Sequence, residues 1–428
     1  MEKPRYNRWR AVFLGGIVYL IVFQNLVSKV CDEYLGLGKS FGTIFILFLY
    51  ACFFIIGSIK FLYRGRIFKR YGFLILVFIG VCILLLARVA FDPGSFLEKS
   101  LGFINDIFYA FMFVFVYLLF RDTTGLQILV NSLINAGVIA GLIGMIQFFF
   151  RGYLPAFFLN PYNEGYFITV GETLYLRPNG LIGNSIIYAH FLLLIGTLLL
   201  SRLVLSAESK DFPKFTVVLV AEILVFSRSA LVGLVLMLIF IYVFGKKIPH
   251  FSYRYLFRIV LGFLVLVIVL MCVPQSRTIV LNKVFNLDVA TKMSSILHIE
   301  QIKNAVAAIK IHPLSGVGIG TQGPSSMSFG TPIITDGFWF MLPLEIGVPL
   351  FALYVLFLMW SYGMSVMIFL KTNSPTLKYV SLAFIGMSTF FYVANFINSA
   401  FIGKVNYICY WLLFGIILAY YRAEMVSR

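Results

Sequence analysis

The chain has 428 residues, of which 61% are hydrophobic and only 12% charged, and it carries a net charge of +17. So little polar surface excludes a soluble globular protein, and apolar runs long enough to cross a bilayer recur from end to end. The positive charge does not signify a nucleic-acid partner, because it is gathered into short clusters between those runs.

Hydropathy predicts an all-α polytopic membrane protein, one transmembrane domain over 1–428. About twelve helices are expected, at 11–27, 42–60, 72–89, 101–120, 126–150, 183–201, 215–226, 229–245, 255–273, 336–360, 376–398 and 405–421. The pair 215–226 and 229–245 is the weakest, since each member falls short of the ~20 residues that a straight crossing needs. It reads either as two short spans or as one broken or re-entrant hairpin. An even number of spans puts both termini in the cytoplasm. The basic clusters at Lys3, Arg5, Arg8 and Arg10, at Lys60, Arg64, Arg66, Lys69 and Arg70, and at Lys246, Lys247, Arg254 and Arg258 then lie on the inner side. The first run follows its basic segment without a small-residue cleavage site, so it is expected to stay as a span. Cys31, Cys52, Cys82, Cys272 and Cys409 show no CxxC spacing, and neither a metal site nor a disulfide framework follows from them.

Two outer segments, 151–182 and 274–335, are the exceptions among short loops. Within the second, "SSILHIEQIKNAVAAIKIH" sets Ile299, Ile302, Val306 and Ile309 at helical spacing, with His298, Gln301, Lys303 and Lys310 off the stripe. That pattern predicts an amphipathic helix on the outer membrane surface, acting as a lid over the bundle or contributing polar groups directly. The stretch after it, "HPLSGVGIGTQGPSSMSFGTP", is rich in Gly, Ser and Pro and predicts an irregular, mobile loop.

Asp106, Glu222 and Glu345 are the acids inside spans, all on the outer half of the expected topology. Intramembrane acids are functional or paired with a base. For Asp106 the paired reading is preferred. For Glu222, six residues before Arg228, and for Glu345 both readings stand. Arg177 and Arg228 are expected at the outer mouth, where a planar fork of donors suits the oxygens of a phosphate or diphosphate; anchoring to ordinary phospholipid is the plainer reading of either residue alone. His312 and Asp336 are the candidate acceptor-side groups, each with a structural alternative: a loop donor for His312 and a helix N-cap for Asp336. Most of the aromatic residues are assigned to lipid-facing and interfacial positions. Tyr162, Tyr166, Phe338 and Trp339 are the ones placed to touch sugar.

Four blocks in order, "RPNGLIGNSIIYAHF", "VFSRSALVGL", "IHPLSGVGIG" and "TDGFWFMLPLEIGVPLF", together resemble the bacterial O-antigen polymerase and O-antigen ligase superfamily over about 175–360. The resemblance implies a GT-C-like, inverting glycosyltransferase of the inner membrane, without metal or other cofactor. It implies work at the periplasmic face on undecaprenyl-pyrophosphate-linked glycans, in lipopolysaccharide biosynthesis. It puts Arg177 and Arg228 on the donor pyrophosphate and the end of the long loop near the acceptor, so that Asp336, His312 and Glu345 are the catalytic candidates and Glu222, Asn184 and His298 the supporting ones. Ligases of the superfamily resemble one another in a histidine where the span at 336 begins. This chain has Asp336 and Gly337 there, which favours a Wzy-type polymerase, with a flippase and a chain-length regulator as partners implied by the resemblance only. A ligase acting on lipid A core is the nearest rival. A lipid-linked oligosaccharide flippase is disfavoured, because the two halves show no repeat and the intramembrane acids cluster outward rather than at the midplane.

Overall fold

A computed structural model describes residues 4–36, 72–159, 167–245, 251–272, 289–323 and 337–427 almost without interruption. Most of 37–71, 273–288 and 324–336 falls outside the described residues, as do 1–3, 160–166, 246–250, 428 and short breaks such as 93–94, 171–172, 207–208, 397 and 399. Of the predicted span at 42–60, nine residues in short helical pieces between 44 and 56 are described, and the basic cluster after it lies outside them.

The chain is an all-α polytopic membrane protein with one small departure, an antiparallel hairpin of β1 (Phe167–Val170) and β2 (Thr173–Leu176) in the outer segment 151–182. Among the described residues six helices are long and apolar enough to cross a bilayer, or eight if each of two bent pairs is one span. The bent pairs are α1 (Pro4–Val22) with α2 (Gln24–Glu33), at 78°, and α4 (Phe96–Asp106) with the 3-10 turn Phe108–Phe111 and α5 (Met112–Leu119), at 42°. Between them lies α3 (Gly72–Phe91). The predicted crossing at 11–27 thus ends early: past Phe23 the chain turns aside, burying Gln24, Ser28 and Lys29. The Asn25 amide donates to the carbonyl of Ile182, and the Lys29 ammonium sits 4.8 Å from the centre of the Phe157 ring.

The six are α6 (Thr123–Phe149), α7 (Ser185–Ser206), α9 (Arg228–Gly245), α13 (Val348–Lys371), α14 (Pro375–Ala394) and α15 (Lys404–Ser427). Capping side chains set the starts of α6, α7 and α14, because the first N–H groups of a helix need an acceptor that the helix lacks. Asp122 accepts from Gly125 N at 2.7 Å, Asn184 from Ile187 N at 2.8 Å and Ser374 from Leu377 N at 3.4 Å. α7 is the axis of the bundle, packed by α6, by α8 (Phe212–Leu224), by α9 and α10 (Tyr253–Cys272), and by α14 and α15. Its apolar window is 89% buried, against 33% for α9 and α13, which leave two thirds of theirs outside the packed interior. The predicted span at 336–360 is two helices, α12 (Phe338–Ile346) and α13, parted at Gly347, whose φ of 80° a side chain would resist.

Lipid exposure explains only part of the aromatic content. Phe78, Phe357 and Trp411 stack through the middle of the fold, with ring centres 4.5 Å and 5.0 Å apart, and Phe113 packs against all three. Buried tyrosines answer one another across helices: the Tyr354 and Tyr407 hydroxyls are 2.8 Å apart, and Tyr407 donates to the Asp106 carbonyl at 2.9 Å. In a bilayer no water is at hand to satisfy such groups, so the neighbouring helix must.

The two ends of α7 are ~33 Å apart at 1.5 Å per residue over its 22 residues. At the C-terminal end Arg202 pairs with Asp211 at 2.5 Å, and Ser252 N donates to the Val204 carbonyl at 3.0 Å. The N-terminal end gathers the segments around 177–184, 225–229 and 395–406.

Candidate functional site

α8 runs for only 13 residues and ends at Leu224. Its last turn closes with Val225 N on Glu222 O at 3.2 Å and Phe226 N on Ile223 O at 3.0 Å, and Phe226 then adopts φ 52°. That left-handed conformation costs a residue other than glycine about 1 kcal/mol or more. The reversal lets α9 begin at once, with Ser227 O accepting from Leu231 N at 3.0 Å. "VFSRSALVGL" is therefore an elbow between two separate helices. α8 packs on α6 and α7, and α9 packs on α7 and α14. Arg228 occupies the first position of α9 with its side chain exposed.

Arg177 is delivered to the same elbow. It follows β2 directly, its Nε donates to the carbonyl of Val225 at 2.8 Å, and its own carbonyl accepts from Ser185 Oγ at 3.1 Å. The turn after it carries two left-handed residues, Gly180 and Leu181. A side chain at 180 would run into the Tyr188 ring, 2.3 Å from where its Cβ would stand. Gln147, in the apolar second half of α6, locks this turn. Its Oε1 accepts from Asn179 N at 3.0 Å and Gly180 N at 2.9 Å, while its Nε2 donates to Asn179 Oδ1 at 2.9 Å. The two arginines thus share one end of the bundle, on two strained turns tied to each other.

His190 lies behind the elbow, 1% exposed, with Nε2 3.0 Å from Ser229 Oγ, which is 3.1 Å from Ser227 Oγ. Its ring packs edge-on against Phe390 and Phe391 of α14, at 5.2 Å and 6.4 Å. Just over one turn further, at the C-cap of α14, the Asn395 carbonyl accepts from Trp339 N at 3.3 Å, so the start of α12 reaches the same end. Glu222, a candidate partner for Arg228, is buried near the Tyr188 hydroxyl, and among the described residues no salt bridge joins it to Arg228. Asn184, a supporting candidate, serves as the N-cap of α7.

A second constellation forms around the glycine-rich stretch. Residues 312–323 are irregular, as the composition predicts, yet they are pinned in place. Val317 N donates to the Leu344 carbonyl at 2.7 Å, Val348 N to Pro313 O at 2.8 Å, Ile319 N to Asp92 Oδ2 at 3.2 Å, and Gln322 N to Glu345 Oε1 at 2.8 Å. Gly320 lies so close to α4 that a Cβ there would meet the Glu98 carbonyl at 2.5 Å. Glu345, expected among the catalytic groups, is 0% exposed and faces the carboxyl of Asp106; its visible work is to hold the loop. Asp106 answers the expected pairing with a second acid rather than with a base. Asp92, unmarked in the sequence, closes the other side, taking Arg88 Nη2 at 2.7 Å and Ile319 N.

The acceptor-side candidates divide. Asp336 lies outside the described residues, as do Tyr162 and Tyr166; α12 starts after Gly337, its N-cap, with φ 85°. His312 is exposed where α11 (Val289–Ile311) ends. His298 is half-buried on α11. Phe338, a candidate for stacking on sugar, is buried at 1%, and the Trp339 indole donates to Tyr392 O at 2.7 Å within an aromatic packet. α11 packs on α12 with a face turned from the predicted stripe. Ala305 is buried, flanked by half-buried His298, Gln301, Ile302, Ala308 and Ile309, whereas Ile299 and Val306 stay exposed. At 100° per residue this is a rotation of roughly 80°. The edge left open carries Ile299 and Val306 beside Lys303 and Lys310.

Two arginines carried on neighbouring turns, one exposed and one half-buried, form a cationic pair of the kind that can neutralise an anion. Residues 215–355, about a third of the chain, match a family model described as O-antigen ligase. The matched stretch includes the elbow, α11, the glycine-rich loop and α12, and it stops short of Arg177. No curated protein matches the chain.

Proposed function

We propose that this protein moves a glycan from an isoprenoid diphosphate carrier to a sugar hydroxyl, and that it does so as a polymerase of lipid-linked repeat units at the periplasmic face of the inner membrane. The observation that carries the reading is the shared elbow: Arg177 Nε on the Val225 carbonyl, three residues before exposed Arg228. The family match over 215–355 supports the same class of chemistry.

In this reading the acceptor hydroxyl oxygen bonds to the anomeric carbon as the bond from that carbon to the diphosphate oxygen breaks. The electron pair leaves with the diphosphate, whose growing charge Arg177 and Arg228 meet in place of a metal ion. The hydroxyl proton passes to the Asp336 carboxylate and from there to water. Attack opposite the leaving group inverts the anomeric centre. A flippase supplies the substrate, and a chain-length regulator is the further partner proposed.

A second reading is favoured by the description of the matched family, a ligase that passes the glycan to lipid A core. The purified protein, given a defined lipid-diphosphate repeat unit, is expected to build a ladder on a gel with a second repeat unit as acceptor and nothing with lipid A core. Product on the core alone overturns the polymerase reading. Asp336→Asn is expected to slow transfer more than it weakens donor binding, and His312→Ala to leave transfer near normal; the reverse pattern would move the base to His312. Ladders are expected in the presence of a chelator, and their loss would end the metal-free account.

A further inference from the structure

We propose that His190 is a positioning residue for the diphosphate, acting through Ser229 to aim the Ser227 hydroxyl at a phosphate oxygen held between Arg177 and Arg228. This rests on the reading of the two arginines given above, and it adds a donor row that the reading does not contain.

His190, Ser229 and Ser227 form one row from the interior of α7 to the elbow, with steps of 3.0 Å and 3.1 Å. Such a row has two polarities. If the imidazole Nε2 accepts, both hydroxyl hydrogens point inward and the elbow end offers only lone pairs. If Nε2–H donates to Ser229 and Ser229 in turn donates to Ser227, the hydrogen of Ser227 is left pointing onward. Ser227 is 5% exposed, and among the described residues Ser229 is the one side-chain partner it has. A hydroxyl so enclosed, with its hydrogen unspent, is costly unless something accepts from it. The adjacent residue is Arg228, and Arg177 reaches the carbonyl two residues earlier. An anion between these cations supplies the acceptor and selects the outward polarity. His190 at 1% exposure is too enclosed to touch substrate, so its role is to set direction. The edge contacts with Phe390 and Phe391 fix the plane of the ring, which keeps Nε2 aligned on Ser229.

The test uses the full chain in lipid nanodiscs, titrated with geranylgeranyl diphosphate and, separately, with geranylgeranyl monophosphate, each followed by calorimetry. Ser227→Ala is expected to lose about ten-fold in diphosphate affinity, the scale of one hydrogen bond to a charged group, with its melting temperature unchanged. His190→Leu should lose as much. His190→Gln, which returns an N–H donor close to the Nε2 position, should recover most of the loss, and a purely structural histidine would show no such rescue. Ser227→Thr keeps the hydroxyl and should bind as the parent does, which covers the case of an alanine variant that fails to fold. The double variant His190→Leu with Ser227→Ala should be no weaker than either alone, because one row has been cut twice. Diphosphate binding by Ser227→Ala within about two-fold of the parent, while Arg228→Ala has lost it, overturns the row and leaves the arginine site standing. Equal loss in His190→Gln and His190→Leu overturns the directional role. Undiminished binding by Arg228→Ala removes the diphosphate site itself, and the proposed function falls with it. A ten-fold loss that is equal for monophosphate and diphosphate is still support, since one phosphate oxygen is the acceptor.

Discussion

The elbow at 225–228 and the loop at 312–323 are built alike and used differently. Both interrupt helices, and both depend on backbone in left-handed conformations: Phe226 in the first, and Gly316, Gly318 and Gly320 in the second. Where glycines make the turn, backbone comes close enough to α4 and α12 for the carboxyl of Glu345 to be answered by a peptide N–H inside the protein. Where phenylalanine makes it, the bulky ring packs on Phe148 and the next charged side chain is thrown outward. An acid that the fold consumes is enclosed and met by backbone and by a second acid, whereas Arg228, proposed to meet a ligand, keeps an exposed face.

The sharpest way to break that comparison is to remove the outward charge. Arg228→Ala is expected to cut transfer by about 100-fold or more, as loss of one donor to a developing anion does elsewhere, while the melting temperature in detergent moves little. A large fall in melting temperature with residual activity in proportion would mean that Arg228 belongs to the fold, as Glu345 does. Gly347→Ala probes the other side. A Cβ there would stand 2.1 Å from the Leu314 carbonyl, at a φ of 80°, so about 2–3 kcal/mol of stability should be lost. The thermal midpoint reports it, and an unchanged midpoint would show that the loop is not clamped. Glu345 sharpens the contrast further. Glu345→Ala strands the N–H of Gln322 and should cost about 1–3 kcal/mol. Glu345→Gln retains an acceptor oxygen and should cost less than half of that. If the two variants were equally stable yet both inactive, Glu345 would have to face substrate after all.

How far the sequence carried the fold depends on where each partner lies along the chain. The runs that became α6, α7, α14 and α15 are legible from hydropathy alone, because a long apolar helix needs no partner to be recognised. The break at Gly347 is also written locally, in a glycine followed two residues later by Pro349, but the largely apolar composition on both sides hid it. Phe78, Phe357 and Trp411 are another matter: nothing near any one of them marks the other two as its stacking partners. α11 shows the same limit. Its stripe of isoleucine and valine was visible, but Ala305 is the buried residue while Ile299 and Val306 stay exposed, because the packing of α11 on α12 selects the inward face. In the site, the arginines stood out as charges beside apolar runs. Gln147 and His190 were equally visible as lone polar residues, yet their uses are set by Asn179 and Ser229, 32 and 39 positions away.

Gln147 gives the smallest effect and separates the arginines from their support. It contacts none of the groups proposed to meet the diphosphate; it holds the backbone of Asn179 and Gly180, two and three residues after Arg177. Gln147→Leu leaves those two N–H groups without their acceptor, which loosens the turn and lets the Arg177 guanidinium wander from Val225. An arginine out of place still attracts an anion but no longer meets it at a fixed distance. Donor binding should therefore weaken by only about three- to ten-fold, against a far larger loss for Arg228→Ala. Gln147→Glu keeps the acceptor oxygens but gives up the donor to Asn179 Oδ1, so it should fall between Gln147→Leu and the parent. If Gln147→Leu instead matched Arg228→Ala in its loss of transfer, the turn would be part of the site itself, and the division between what binds and what holds would have to be redrawn at residue 179.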